Sequence, residues 1–256
     1  MFLDERLEKI LEILNEEKKV KVSELAEKFQ VSEVIIRKDL KRLEMEGRLK
    51  RTHGGAILLK ELVHTVALED RIINRTKQKE AIAEKIISNI NNNEVIFFDV
   101  SSINYIAAEY LAKMEKSFNL ITNMPSITAL FNKNSKVEVT VIGGDYHKEI
   151  GGIIGSEAIN NILRYNVDKA FIGCAGIDVN SGKVMNFETD DGNTKKTVMG
   201  ISGQNFLVTE LRKTETAGSF NFSILKEFTG IITERENEEI PVEMRKKIES
   251  HDVDIL

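Results

Sequence analysis

Apolar residues between positions 31 and 51, V-S-E-V-I-I-R-K-D-L-K-R-L-E-M-E-G-R-L-K-R, fall on one helical stripe, with Ile36, Leu40 and Leu43 at i, i+4 and i+7. Ser32 stands where an N-cap belongs, and Gly47 where a helix stops. Arg37, Lys38, Lys41 and Arg42 lie off the stripe, so the spacing predicts a helix with a buried seam and a basic face. Upstream, Leu3, Leu7, Ile10, Leu11 and Leu14 predict an amphipathic helix over 3–15. Val20–Lys21–Val22 follows as a short strand, and Ser23 as the cap of a second helix with Leu25, Ala26 and Phe29 on its inner side. Downstream, R-L-K-R-T-H-G-G-A-I-L-L reads as two strands meeting at Gly54–Gly55, because both glycines tolerate positive φ.

Helix, short turn, capped basic helix and basic hairpin are the parts of a winged helix-turn-helix, in the order that motif needs. A basic helix face alone is commonly just a solvated face; here the cap, the preceding helix and the wing accompany it. The module is predicted over 1–58. Its candidate DNA-contacting residues are Ser23, Ser32, Glu33, Val34, Ile35, Arg37, Lys38, Lys41 and Arg42 on the helices. Lys50, Arg51 and His53, beside Arg48, belong to the wing. Ser32 can offer its hydroxyl and nearby N–H groups to a phosphate. Arg37, Lys38 and Lys41 suit guanine edges or phosphates, and Val34 and Ile35 suit thymine methyls. Asp39 is read as the orienter of a neighbouring arginine.

Residues 59–75 show no clear period and are read as a linker. Over 76–256 helical spacing (Ile82, Ile86, Ile87 and Ile90; Ile106, Ala107, Tyr110 and Leu111) alternates with β-rich runs. These runs are E-V-I-F-F-D-V, F-N-L-I-T, V-E-V-T-V-I-G-G, K-A-F-I-G, N-F-L-V-T and G-I-I-T. Further helical patterns fall near 124–132, 155–164, 191–201 and 241–250. The fold class is therefore α/β: an N-terminal winged helix-turn-helix domain followed by a mostly parallel α/β sensor domain. Ligands of such sheets sit at the carboxyl ends of strands. At the first of these ends Asp99 closes a strand, and Ser101, Ser102 and Asn104 open a helix, a setting for a phosphate or a polyol. On the residues alone, Ser101 or Ser102 can equally be no more than the cap of that helix. Later junctions carry Asn123, then Gly143–Gly144, where a backbone can approach closely, and Glu210 with Lys213.

Length allows a small domain plus a medium one, and 41% apolar with 30% charged residues is ordinary for a globular chain. No apolar run approaches the roughly 20 residues that span a bilayer. The start, M-F-L-D-E-R, is charged from its fourth residue and is read as no signal peptide. One cysteine, Cys174, excludes an intrachain disulfide, offers no resolving partner for a redox switch, and fits a cytoplasmic protein. His53, His64, His147 and His251 share no ligand spacing, so neither a metal nor a cofactor is expected. Net charge is −5, but residues 1–60 carry 14 Lys+Arg against 12 Asp+Glu, a balance of +2. The remainder, at 22 against 29, holds −7. A small positive module on an acidic one fits localised phosphate contact.

The first sixty residues closely resemble the N-terminal domain of the DeoR family of bacterial regulators. The shared stretches are E-R-L-x-x-I-L-x-x-L, V-S-E-L-A, V-S-E-V-x-I-R-x-D-L and R-x-H-G-G-A. From about 75 to 233 the chain resembles that family's sensor domain, similar in fold to ribose-5-phosphate isomerase. By that resemblance Asp99 and Ser101–Asn104 replace a D-S-G-T-T-T phosphate loop, and Asn123 matches a T-N motif. Lys196 matches a lysine three residues before a methionine, here Met199. Lys213 matches the lysine of D-S-S-K, and Gly173, Gly176 and Asp178 match G-x-x-G-I-D. The chain departs from the pattern at Ser101, where the loop has glycine, at Ile103, and at E-L-R-K in place of D-S-S-K.

The resemblance implies a DNA-binding regulator, foremost a repressor of carbohydrate-metabolism genes, controlled by a phosphorylated sugar. Implied partners are a double-stranded DNA operator, that effector, and further copies of the chain as a dimer or tetramer, with no membrane. The alternative, sugar-phosphate isomerisation, needs a D-G-A-D carboxylate pair. Ala175–Gly176–Ile177–Asp178 lacks the first carboxylate, so no enzyme is expected.

Overall fold

A computed structural model describes the chain except residues 1, 2, 18, 46–48, 53, 59–67, 75 and 134; of residues 4, 15–17, 45, 50, 52, 57, 58, 69, 76 and 215 it describes the backbone alone. The chain divides into two compact units, Met1–Leu62 and Val63–Leu256.

In the first unit α1 (Leu3–Glu17) leads through β1 (Lys19–Lys21) into α2 (Val22–Phe29) and α3 (Glu33–Met45), and β2 (Leu49–Thr52) and β3 (Gly55–Leu58) form the wing. The three strands pair antiparallel in the order β1-β3-β2. Ile36, Leu40 and Leu43 are buried with Leu7, Ile10, Leu14 and Leu25, each worth about 1.5–3 kcal/mol by the area it removes from water. One expected detail is corrected: α2 begins at Val22, and Ser23 is its second residue rather than its cap. The Val22 N–H donates instead to the Gly54 carbonyl at 2.9 Å, so the wing's backbone closes the start of this helix. Gly54 has φ +91°, and a Cβ on Gly55 would stand 2.0 Å from the Val20 carbonyl oxygen, which is why the hairpin turns on two glycines. Gly47, expected to stop α3, lies outside the described residues.

The second unit opens with α4 (Leu68–Ile73) and α5 (Thr76–Ser88), followed by β4 (Val95–Phe98), α6 (Ser102–Leu111), β5 (Asn119–Thr122) and β6 (Glu138–Val141). A small hairpin, β7 (Tyr146–His147) and β8 (Gly152–Ile153), precedes α7 (Ser156–Ile162) and β9 (Val167–Gly173). Then come β10 (Gly176–Asp178), β11 (Lys183–Asn186), α8 (Thr189–Gly200), β12 (Ser202–Val208), β13 (Phe220–Ile224), β14 (Gly230–Ile232), α9 (Val242–Glu249) and β15 (Asp254–Ile255). Part of the expected linker is thus helical: α4 buries Leu68 in the core of this unit. The pattern near 124–132 forms a 3-10 turn, Pro125–Leu130, where the Thr128 hydroxyl donates to the Pro125 carbonyl at 2.7 Å.

Seven strands pair in the order β15-β14-β12-β9-β4-β5-β6, every neighbouring pair parallel. Alternate residues feed opposite layers. Ile96, Phe98, Phe171 and Phe206 pack with α5 and α6, while Phe97, Ala170, Ile172 and Leu207 pack with α7, α8 and α9. On the α5–α6 side Phe171 meets Phe98 edge-on at 5.6 Å and stacks on Phe206 at 5.4 Å. A second, antiparallel sheet, β10-β11-β13, was not visible as a separate element in the sequence. Strand order reverses between β4 and β9, which makes the crevice at their carboxyl ends the topological switch point.

Candidate DNA-reading surface and effector site

Ser32 caps α3: the Ile35 N–H lies 3.4 Å from its hydroxyl and 3.0 Å from its carbonyl. Burying Ile36, Leu40 and Leu43 turns the opposite face outward, and Glu33, Val34, Ile35, Arg37, Lys38, Lys41 and Arg42 are all exposed, Val34 by 62%. Arg37 pairs with Glu33 at 2.7 Å along the helix. Arg51 of β2 is held twice by Glu44, from its backbone N–H at 2.9 Å and its Nε at 2.7 Å. That clamp fixes the wing to the end of α3. A crevice of about 320 Å³ runs between Arg37 on the helix and Arg51 on the hairpin. Ser23 is exposed on α2. Lys50 lies on β2, its side chain outside the description, and Arg48 and His53 lie outside the described residues altogether. Asp39 does orient an arginine: it is buried and accepts from Arg6 of α1 at 2.6 and 3.2 Å. That hydrogen bond raises the Arg6 guanidinium above its ordinary value.

At the switch point Asp99 is sealed from solvent. Its carboxylate accepts from the Gly173 N–H at 2.8 Å, from Asn104 Nδ2 at 2.7 Å and from the Lys195 ammonium. Asn104 also donates to the Phe171 carbonyl at 2.8 Å, tying α6 to β9. Lys195 has a second carboxylate, Asp191, at 3.5 Å. Burial opposes its charge, but Asp191 and Asp99 outweigh burial and raise the ammonium above the ordinary lysine value. Two carboxylates sharing one cation leave one under-neutralised, and burial pushes the Asp99 carboxyl up, only partly offset by Lys195. Ser101 is the N-cap of α6, its hydroxyl accepting from the Ile103 N–H at 3.2 Å. Ser102 is buried beside it.

The other expected effector residues divide. Asn123, at the end of β5, clamps β8: its Nδ2 donates to the Ile153 carbonyl at 2.9 Å, and its own carbonyl accepts from the Ile153 N–H at 2.7 Å. Its Oδ1, like that of Asn104, is buried without a hydrogen-bond donor among the described residues. Gly143 and Gly144 are exposed just past β6, the latter at φ +142°. Gly176 serves packing, since a Cβ there would meet the Thr216 carbonyl at 2.3 Å. Asp178 is a turn former, accepting from the Ser181 hydroxyl at 2.6 Å and the Asn180 N–H at 3.0 Å, and the serine lowers its carboxyl.

Lys196 is a correction. It faces outward to Glu227 at 2.5 Å, its side chain 48% exposed, and its neighbour Lys195 occupies the switch point. Successive helical residues point about 100° apart, so one position decides the matter. The i, i+4 relation of Asp191 to Lys195 was the sequence signal that could have found it.

Lys213 donates to the Cys174 carbonyl at 2.7 Å at the carboxyl edge. Another buried lysine carried no signal in the sequence. Lys79, in the first turn of α5, is buried and donates to the Arg71 carbonyl and, at 2.6 Å, to the Asn74 carbonyl. It thereby closes the end of α4, whose Arg71 donates to the Ile150 carbonyl at 2.8 Å. Burial brings the Lys79 ammonium down to about 8; Glu210 pulls it up, while Arg212, Lys213 and Arg71 press it further down. Burial also lowers Lys213. Arg212 reaches back to Glu210 at 3.3 and 3.4 Å.

Among the described residues no helix is long and apolar enough to cross a membrane. Residues 6–62 match the DeoR-like helix-turn-helix domain, and residues 74–235 the DeoR C terminal sensor domain. An uncharacterised HTH-type transcriptional regulator of Bacillus subtilis, YulB, is 30% identical over 91% of this chain and 90% of its own. The lactose phosphotransferase system repressor of Lactococcus lactis is 29% identical over 81% of this chain and 82% of its own. The glycerol-3-phosphate regulon repressor of Escherichia coli is 29% identical over 80% of each. These relatives are named as regulators and repressors, not enzymes. A ribose-5-phosphate isomerase in complex with phospho-erythronic acid is a distant likeness, with TM-score 0.40 and 14% identity over 55% of each chain. With both halves matched in chain order, the chain belongs to the DeoR family of helix-turn-helix transcriptional regulators.

Proposed function

We propose that this chain is a repressor of carbohydrate-metabolism genes that binds its operator as a homo-oligomer and responds to a phosphorylated sugar or related metabolite. The observation that carries the DNA reading is the capped helix α3, with its hydrophobic seam buried and a basic face left exposed beside a clamped wing. One such helix reads only a few base pairs, so two or four copies on a two-fold operator supply the length of site that specificity needs. The names of the lactose and glycerol-3-phosphate repressors support a sugar-linked role. The effector is assigned to the carboxyl edge, with Asp99, Ser101, Ser102, Asn104, Asn123, Lys195 and Lys213 around it. Two buried acceptors there, on Asn104 and Asn123, lack donors among the described residues and suit the hydroxyls of a sugar. The working division is a DNA-binding domain over 1–58, a connection over 59–75 and a sensor over 76–256. Effector acts by binding one arrangement of the paired domains more tightly than another.

The test is fluorescence anisotropy on DNA from the region upstream of the protein's own gene, at several salt concentrations, with a panel of sugar phosphates added. Specific binding shifted by one sugar phosphate is the expected result. Absence of sequence-specific binding would end the regulator reading.

A further inference from the structure

Glu44 stands where charge alone argues against a carboxylate. It is the penultimate residue of α3, at the negative end of that helix's dipole. It also follows Arg37 by seven residues, two turns along the same face. Both side chains line the crevice between helix and wing, so a duplex read by Arg37 brings its phosphates toward Glu44. The bonds that Glu44 makes account for its presence. Its carboxylate accepts from the Arg51 backbone N–H at 2.9 Å and from the Arg51 Nε at 2.7 Å. β2 is an outer strand of the sheet β1-β3-β2, so the carboxylate covers a backbone donor on the sheet's open edge. An exposed ion pair alone contributes little. A single carboxylate that holds both the backbone and the side chain of one strand residue fixes that residue's position.

We propose that Glu44 is a positioning residue for DNA binding. Through Arg51 it sets the distance and angle of the wing relative to α3. Arg51, expected from the sequence to touch DNA, is the other half of this latch, its charge matched by Glu44. The assignment rests on the DNA reading above and divides the wing's cations by task. Arg51 holds the hairpin in place, and its neighbour on β2, Lys50, is left as the wing's phosphate contact.

Fluorescence anisotropy of the full chain across a salt series, on the duplex upstream of its own gene and on a scrambled duplex, tests the latch. Removing a negative charge beside a polyanion by itself tightens DNA binding. Glu44→Gln, of nearly the same size, is expected instead to weaken binding to the upstream duplex about tenfold, the worth of a charge-assisted hydrogen bond. Arg51→Gln is expected to lose about as much affinity with an unchanged salt slope, because no phosphate contact disappears. The double variant Glu44→Gln/Arg51→Gln is expected to bind no more weakly than the weaker single variant, as for two ends of one interaction. Binding by Glu44→Gln as tight as the parent's, or tighter, overturns the positioning role. So does an Arg51→Gln salt slope shallower by about one, or a double variant that shows the product of both losses. Arg51→Gln, at an exposed position, keeps the test open should Glu44→Gln fold poorly. The two readings fail separately. A parent that does not distinguish the two duplexes ends the DNA reading, and the latch's part in it. A parent that distinguishes them, beside a Glu44→Gln variant that binds equally well, ends the latch alone.

Discussion

On the recognition helix Arg37 and Glu33 pair at 2.7 Å with side chains 57% and 48% exposed, whereas at the switch point Lys195 meets Asp99 with 3% and 1% exposed. The first pair is worth about 0–1 kcal/mol and is screened by salt. Arg37 can therefore trade its carboxylate for a DNA phosphate or a guanine at little cost. The second pair has no such freedom. Its two charges left water on folding, and each now depends on the other to remain buried. One unit leaves its cation exposed and exchangeable, and the other locks a cation between two buried carboxylates at the switch point.

The most damaging way to break this contrast is Lys195→Met, which strands Asp99 and Asp191 without their cation. It is expected to lower the stability of the second unit by about 3–5 kcal/mol, read by chemical denaturation. A loss below about 1 kcal/mol would mean the pair behaves like a surface pair. Arg37→Ala leaves folding intact and weakens operator binding by about 1–3 kcal/mol, with relaxed discrimination at the base it reads. Unchanged operator affinity would remove α3 from the reading surface. Lys50→Ala in the wing lowers affinity evenly across sequences and reduces the salt slope by about one; a sequence-dependent loss would make it a base reader. A pH-dependent effect concerns Lys79, whose folded value, about 8, lies below the lysine reference of 10.5. Between those values the unfolded chain holds more protons. This lysine's burial penalty is therefore full below pH 8 and fades as pH rises toward 10.5. Stability of the parent relative to Lys79→Met should rise across that window in urea titrations, and a fall would show that Lys79 is charged and paired.

What the sequence made legible follows from distance along the chain. The stripe of Ile36, Leu40 and Leu43, the Ser32 cap and the diglycine wing are local patterns, and all three took their expected places. The βαβ order was readable because strands buried on both faces are continuous apolar runs. Local cues also misled. Ser23 looked like a cap, but the wing supplies the needed acceptor from 32 residues away, at Gly54. Lys196 fitted a motif spacing, yet the choice between it and Lys195 rested on Asp99, 96 residues distant. Lys79 carried no signal, since its partners are backbone carbonyls that every residue possesses. The six residues of α4 were too few to show a period.

The hydrogen bond from Val22 to Gly54 gives the hairpin a structural duty inside its own unit. A chimera that grafts a relative's hairpin between Leu49 and Leu58 would also replace the acceptor on which α2 begins and the strand against which β1 pairs. The transplantable piece is therefore the whole stretch from Lys19 to Leu58.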